Sequence, residues 1–148
     1  MKRILELWSN FTIKLESGKD ISLLLFRLVL AYGFYMPAKM KWADIGAIAQ
    51  WFDGMGIPLP TLNAYLAAGT EAVGVVLLAL GLGTRLISIP LIITMIVAII
   101  TVHLGNGFDA GDNGLEIPLY YILMLSSLFF MGAGRFSLDR LFGRNKSI

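Results

Sequence analysis

Four stretches of this chain run long enough and apolar enough to cross a bilayer: about residues 21–40, 61–83, 86–104 and 116–133. A spanning helix needs about 20 mostly apolar residues, and each stretch meets or approaches that. The connections between them differ. Residues 41–60, KWADIGAIAQWFDGMGIPLP, carry Trp42, Ile45, Ile48, Trp51 and Phe52 and end in Gly and Pro. That pattern predicts a short surface helix with interfacial tryptophans, followed by a turn. The GLGTR connection is tight and joins two antiparallel spans. The third connection, GNGFDAGDNG, is polar and glycine-rich. The pattern as a whole predicts an all-α integral membrane fold, a bundle of four transmembrane helices in a single domain over residues 1–148.

The two ends are amphipathic rather than spanning. Ile4, Leu5, Trp8, Phe11 and Leu15 fall on one helical face, while Glu6, Lys14 and Glu16 interrupt any leader-like apolar run. Residues 1–19 are therefore expected to form an interfacial helix and not a cleaved signal. Residues 135–148 read as a short basic segment at the inner surface.

Composition agrees with the pattern. The chain is 57% hydrophobic before glycine is counted, against roughly 45–50% with glycine in soluble domains. Only 15% of residues are charged and the net charge is +2. The positive residues cluster at the ends of apolar runs and form no stripe, so a nucleic-acid partner is not expected. With no cysteine, the chain has no thiol redox chemistry and no thiolate metal site of its own. Its lone histidine makes a metal site unexpected. Lysine and arginine also set the orientation. Lys2, Arg3, Lys14, Lys19, Arg85, Arg135, Arg140, Arg144 and Lys146 fall on one side, against Lys39 and Lys41 on the other. Both termini are expected in the cytoplasm.

Two charges interrupt the spans. A charge near the bilayer centre costs about 2.5–3.5 kcal/mol on insertion scales, so such residues usually face the bundle interior and find partners. Arg27 lies in SLLLFRLVLAYGFY. Glu71 has Ala67, Ala68, Gly74 and Val75 as its helical neighbours, small residues that suit a helix seam. An extended arginine covers most of the depth between them, so an Arg27–Glu71 pair is one expectation. Either it fixes the packing, or Glu71 is a binding or proton-handling carboxylate.

The outer ends hold the remaining candidates. His103 closes the third span, Glu116 opens the fourth, and Lys39 or Lys41 ends the first. A compact bundle brings these ends together around the polar end of a ligand. Glu116, Tyr120, Met124 and Ser127 share one helical face. Bland roles compete: His103 as an interfacial residue, Glu116 as a partner of its helix dipole. DAGDNG lacks the spacing of an EF-hand calcium loop and reads as a turn.

The order of PAKMKW, TEAVGVVLLALGLGTR, TVH, GLEIPLYY and GAGRFSLD over about residues 20–142 resembles the DoxX family of small bacterial membrane proteins. RLISIPLIITMIVAIITVHLGNGF is also similar to DoxX members found with copper-binding modified-peptide systems. The resemblance implies a four-helix inner-membrane fold and a link to membrane redox chemistry. Relatives include the small membrane subunit of a thiosulfate:quinone oxidoreductase, and some members associate with partner enzymes. By position it assigns the family's polar residues to Arg27, Lys41, Glu71, His103 and Glu116.

Together these observations lead to three expectations. The first is a membrane subunit that binds a quinone or lipid-like ligand and supports a partner redox or maturation enzyme. There Arg27 and Glu71 organise the cavity, and His103, Glu116, Lys41 and Tyr120 stand near the ligand. The second is a small oligomeric transporter or proton pathway. The third is a structural anchor for partner proteins. The chain holds no complete catalytic set, so any enzymatic part is that of an accessory subunit, and a homo-oligomer is compatible with its small-residue faces.

Overall fold

Apolar periodicity folds the first stretch into α1, Lys19–Ala43, which outruns its predicted end at residue 40 by three residues. Pro37 lies within it without ending it. The computed structural model describes residues 18–143. The predicted interfacial helix before Gly18, and the last five residues of the basic tail, lie outside them. Asp44 then caps the short α2, Ile45–Gly54, by accepting the Ala47 N–H at 2.9 Å.

After a Gly/Pro turn, α3 runs over Pro60–Leu80. Its predicted end at residue 83 is too late. Gly81 and Gly83 both take positive φ, and the Leu82 N–H returns to the Leu77 carbonyl at 3.0 Å, closing the helix in a glycine-based cap. The GLGTR turn leads straight into α4, Thr84–Ala98. This helix starts two residues before the predicted 86 and continues through a π-helical turn at Ile99–His103 and a 3-10 turn at Leu104–Asn106. A further 3-10 turn at Ala110–Asp112 precedes α5, Glu116–Met131, which Gly132 ends with φ +82°. The DAGDNG stretch is thus a turn, with Asp109 accepting the Gly111 N–H at 2.7 Å. The chain closes in the short α6, Leu138–Gly143.

No strand occurs among the described residues. Three helical runs are long and apolar enough to cross a membrane: Lys19–Ala43, Pro60–Leu80 and Thr84–Asn106. The fourth apolar helix, α5, has 16 residues, about 24 Å at 1.5 Å per residue. This all-helical, strongly apolar fold is that of a membrane protein. The four long helices form a ring. α1 packs mainly on α3, α4 mainly on α5, and the α3–α4 and α1–α5 seams close it. The core lies within the ring: Leu30, Leu78, Leu91, Leu125 and Leu128 are fully buried, with Phe34 beside them. Ala64 and Ala68 are also fully buried, so those small residues serve packing within the chain.

Candidate functional site

Where the core leucines stop, the ring opens. A cleft of about 1300 Å³ lies between α1, α3, α4 and α5, roofed by Ile48, Trp51 and Phe52 of α2. Most of its wall is apolar. Met40 and Pro37 of α1, Leu66 and Ala67 of α3, and Ile93 and Val97 of α4 all line it. Leu66 of α3 and Ile93 and Val97 of α4 line the cleft and are exposed, so the cleft is open where these two helices meet.

Polar groups enter this apolar wall at a few points. Lys41 Nζ donates to both carboxylate oxygens of Glu71, at 2.9 and 2.8 Å. Glu71 is 2% exposed, while Lys41 keeps a small opening to the cleft. Glu71 is held there by its neighbours. Ala68 lies one turn before it, and Gly74 approaches Leu91 so closely that a Cβ would stand 2.9 Å from Leu91 Cδ1. The next residue after Lys41, Trp42, donates its indole N–H to the Ala68 carbonyl at 3.1 Å and packs edge-on against Tyr65. The end of α1 is thereby locked onto α3 beside the ion pair. From Glu71 to the Gly81 turn is about 15 Å along the helix, half of a roughly 30 Å hydrocarbon layer.

His103 lines the rim. Its Nδ1 stands 2.8 Å from the Asn113 carbonyl. A carbonyl only accepts, so Nδ1 carries the hydrogen, and in the neutral ring Nε2 is left as an acceptor. The π-helical turn Ile99–His103 widens the last turn of this span and places Thr101, Val102 and His103 on the cleft wall. Pattern reading misses such a turn, because one extra residue in a helix leaves no compositional mark.

The other sequence candidates separate from this group. Arg27 does not pair with Glu71. It is buried at the opposite end, where Nη2 donates to the Phe136 carbonyl. Lys41, nearer along α1, takes Glu71 instead. Glu116 does not join His103 either. Its carboxylate accepts the Ala110 N–H at 3.1 Å and fastens the loop between α4 and α5. Lys39 is exposed and does not line the cleft. Tyr120 is 44% exposed and faces out, and the cleft wall is made by the next residue, Tyr121. Tyr121 packs edge-on against Phe34, and its hydroxyl presses on Gly33, where a Cβ would stand 1.8 Å away. A helix with both a core face and a cleft face hides this one-position shift from a polar-stripe reading. The left-handed Leu59, at φ +48° between two prolines, is another feature of the outer end without a sequence signal.

The most specific motifs build the end of the ring opposite the cleft. Asp139 accepts the Gly83 and Thr84 N–H groups at 2.7 and 3.1 Å, capping α4 from a distant segment. In return the Gly81 carbonyl accepts the Asp139 N–H at 2.9 Å. Gly81 is irreplaceable by size as well as by φ, since its Cβ would overlap Arg27 Nη1. Asp20 accepts the Arg135 N–H at 2.9 Å, tying α1 to the same clasp. GLGTR and GAGRFSLD are therefore two halves of one structural joint. Among the described residues, no three His, Cys, Asp or Glu side chains gather into a metal site.

Comparison with known proteins fits this architecture. A protein of Haemophilus influenzae without assigned function is 34% identical over 128 residues, covering 84% of this chain and 85% of the relative. A Bacillus subtilis protein named "Putative oxidoreductase CatD" is 33% identical over 109 residues, 74% of this chain and 76% of its own. An uncharacterized membrane protein of Mycobacterium tuberculosis is 35% identical over 99 residues, about three-fifths of each chain (60% and 61%). No solved structure matches the chain. The DoxX family model matches residues 22–104, which run from α1 through the π-helical turn and include Arg27, the Lys41–Glu71 pair and His103. The protein is a bacterial membrane protein of the DoxX family.

Proposed function

We propose that this protein is a membrane subunit that holds a quinone or lipid-like ligand in the outer cleft and supports a partner redox or maturation enzyme. The observation that carries the proposal is a cleft of about 1300 Å³ with mostly apolar walls and one buried ion pair, Lys41–Glu71, set into them. Apolar walls with a few placed polar groups are the usual form of a small-molecule site. The α3–α4 seam gives an apolar molecule a way in from the bilayer. In this reading α5 is a fourth, short span, the membrane is the bacterial inner membrane, and both termini are cytoplasmic. The B. subtilis relative's name points the same way, toward oxidoreductase chemistry.

The residues present suit a quinone. Its head offers carbonyl acceptors, and the cleft supplies donors in the third ammonium hydrogen of Lys41 and the hydroxyl of Tyr121. A quinone supplies two-electron, two-proton chemistry when bound. The chain's own residues bind and orient: Lys41 and Glu71 set the polar end, the α2 aromatics exclude water, and His103 offers a proton acceptor at the rim. Arg27 and Glu116 take no part in the cleft.

Mass spectrometry of an organic extract from mildly purified protein tests this. The expected result is one defined quinone or lipid at near one per chain. It is lost in the paired Lys41→Met, Glu71→Leu variant, which leaves no orphaned charge. Bulk membrane lipid alone, unchanged in a folded variant, sinks the ligand role.

A further inference from the structure

The end of the ring opposite the cleft holds a second cavity, of about 440 Å³, between the end of α3 and the α6 segment. Leu80, Phe136 and Leu141 give it an apolar side, and Arg135 and Arg140 give it two guanidinium groups. No carboxylate lines it. Asp139, the nearest acid in sequence, has both oxygens taken by the Gly83 and Thr84 amides. Asp20 faces the Arg135 backbone N–H, and its contact with the Arg135 side chain is a loose 3.9 Å.

Behind the wall stands Arg27. It is 1% exposed, and its Nη2 donates to the carbonyl of Phe136, itself a wall residue. Its Nε and Nη1 have no hydrogen-bond partner among the described residues. An arginine this deep keeps its charge. A buried cation with two unused donors adds to the positive potential of the cavity in a medium that screens it poorly, offset in part by the Asp139 carboxylate beside it. Phe136 is 56% exposed and Leu141 64%, apolar wall residues unsuited to open water and well suited to acyl chains.

We infer that this cavity binds the phosphate of an anionic membrane lipid, with Arg135 and Arg140 gripping the phosphodiester and Arg27 backing it. Arginine matches phosphate geometry with two parallel N–H groups, and basic pockets beside spanning helices recognise anionic head groups in this way. The lipid's chains lie against Leu80 and Leu141. The site is independent of the outer cleft, at the other end of the ring.

The test is native mass spectrometry of the full chain released from micelles containing equal phosphatidylglycerol and phosphatidylcholine. Wild-type protein is expected to retain one phosphatidylglycerol, and the Arg135→Gln, Arg140→Gln variant to retain at least about tenfold less. Arg85→Gln, an exposed charge at the same end but outside the cavity, is expected to match wild type. Arg140→Gln alone spares the Arg135–Asp20 contact and is expected to show most of the loss, which guards against a folding defect in the double variant. Equal retention of the two lipids, or loss of retention in Arg85→Gln as large as in the cavity variants, overturns the inference. Displacement of phosphatidylglycerol by millimolar inorganic phosphate, with phosphate itself retained, assigns the cavity to a soluble anion and overturns the lipid.

Discussion

Glu71 and Lys41 form their ion pair where water reaches the carboxylate poorly, Glu71 being 2% exposed and Lys41 16%. Their Coulomb attraction is strong there, and so is the desolvation that opposes it. The pair is therefore worth little net, while either partner alone is costly. Glu71→Gln is expected to destabilise the protein by about 3–5 kcal/mol, since it strands the Lys41 ammonium. The paired Lys41→Met, Glu71→Leu variant is expected within about 1 kcal/mol of wild type on the same argument. Thermal unfolding in one detergent, run as a double-mutant cycle, measures both. A paired variant as unstable as the single one would show that the ion pair itself holds the ring. That Glu71 is buried was legible from Ala67, Ala68 and Gly74 around it. Its partner was not. Arg27 lay within arm's length by residue count, but count ignores where α1 crosses α3, and that crossing gives Lys41 to Glu71.

At the scale of elements, the joint between the α3–α4 turn and the α6 segment shows why the GLGTR and GAGRFSLD strings are so distinctive. Several residues in them answer a local demand. Gly81 and Gly83 take positive φ, Asp139 satisfies two amides at the start of α4, and Ser137 Oγ donates to the Gly134 carbonyl at 2.6 Å. Asp139→Ala leaves the Gly83 and Thr84 amides without their acceptor and is expected to cost about 1–2 kcal/mol, in the upper range for a lost helix cap. Hydrogen exchange followed by mass spectrometry checks this, with faster exchange confined to the first turn of α4. The ligand content of the cleft is expected to be unchanged, because the joint and the cleft lie at opposite ends of the ring. Sequence periodicity located all four apolar helices. It ran two or three residues too far at the ends of α3 and α5, where Gly81 and Gly132 rather than composition set the boundary, and it could not see the π-helical turn that follows α4 at Ala98. The strings that look most like a functional signature serve architecture, whereas the cleft is lined by residues as ordinary as Ala67, Val97 and Tyr121.

For the whole molecule, the decisive asymmetry is between its ends. One end gathers Arg27, Arg85, Arg135 and Arg140 around a closed joint, and the other opens into the cleft under the α2 aromatics. The lysine and arginine bias predicts that the arginine end faces the cytoplasm. Because the chain has no cysteine, single cysteines report this without background. Asp109→Cys, in the exposed loop between α4 and α5, is expected to react with a membrane-impermeant maleimide on intact spheroplasts. Arg140→Cys is expected to react only after the membrane is opened. The same pair of variants decides the status of α5, whose 16 residues are short for a roughly 30 Å layer. A crossing α5 puts residues 109 and 140 on opposite sides. Labelling of both from one side would leave α5 lying within a single leaflet. The arginine end would then no longer be defined by the count of spans, and the cleft would open on a different face of the bilayer.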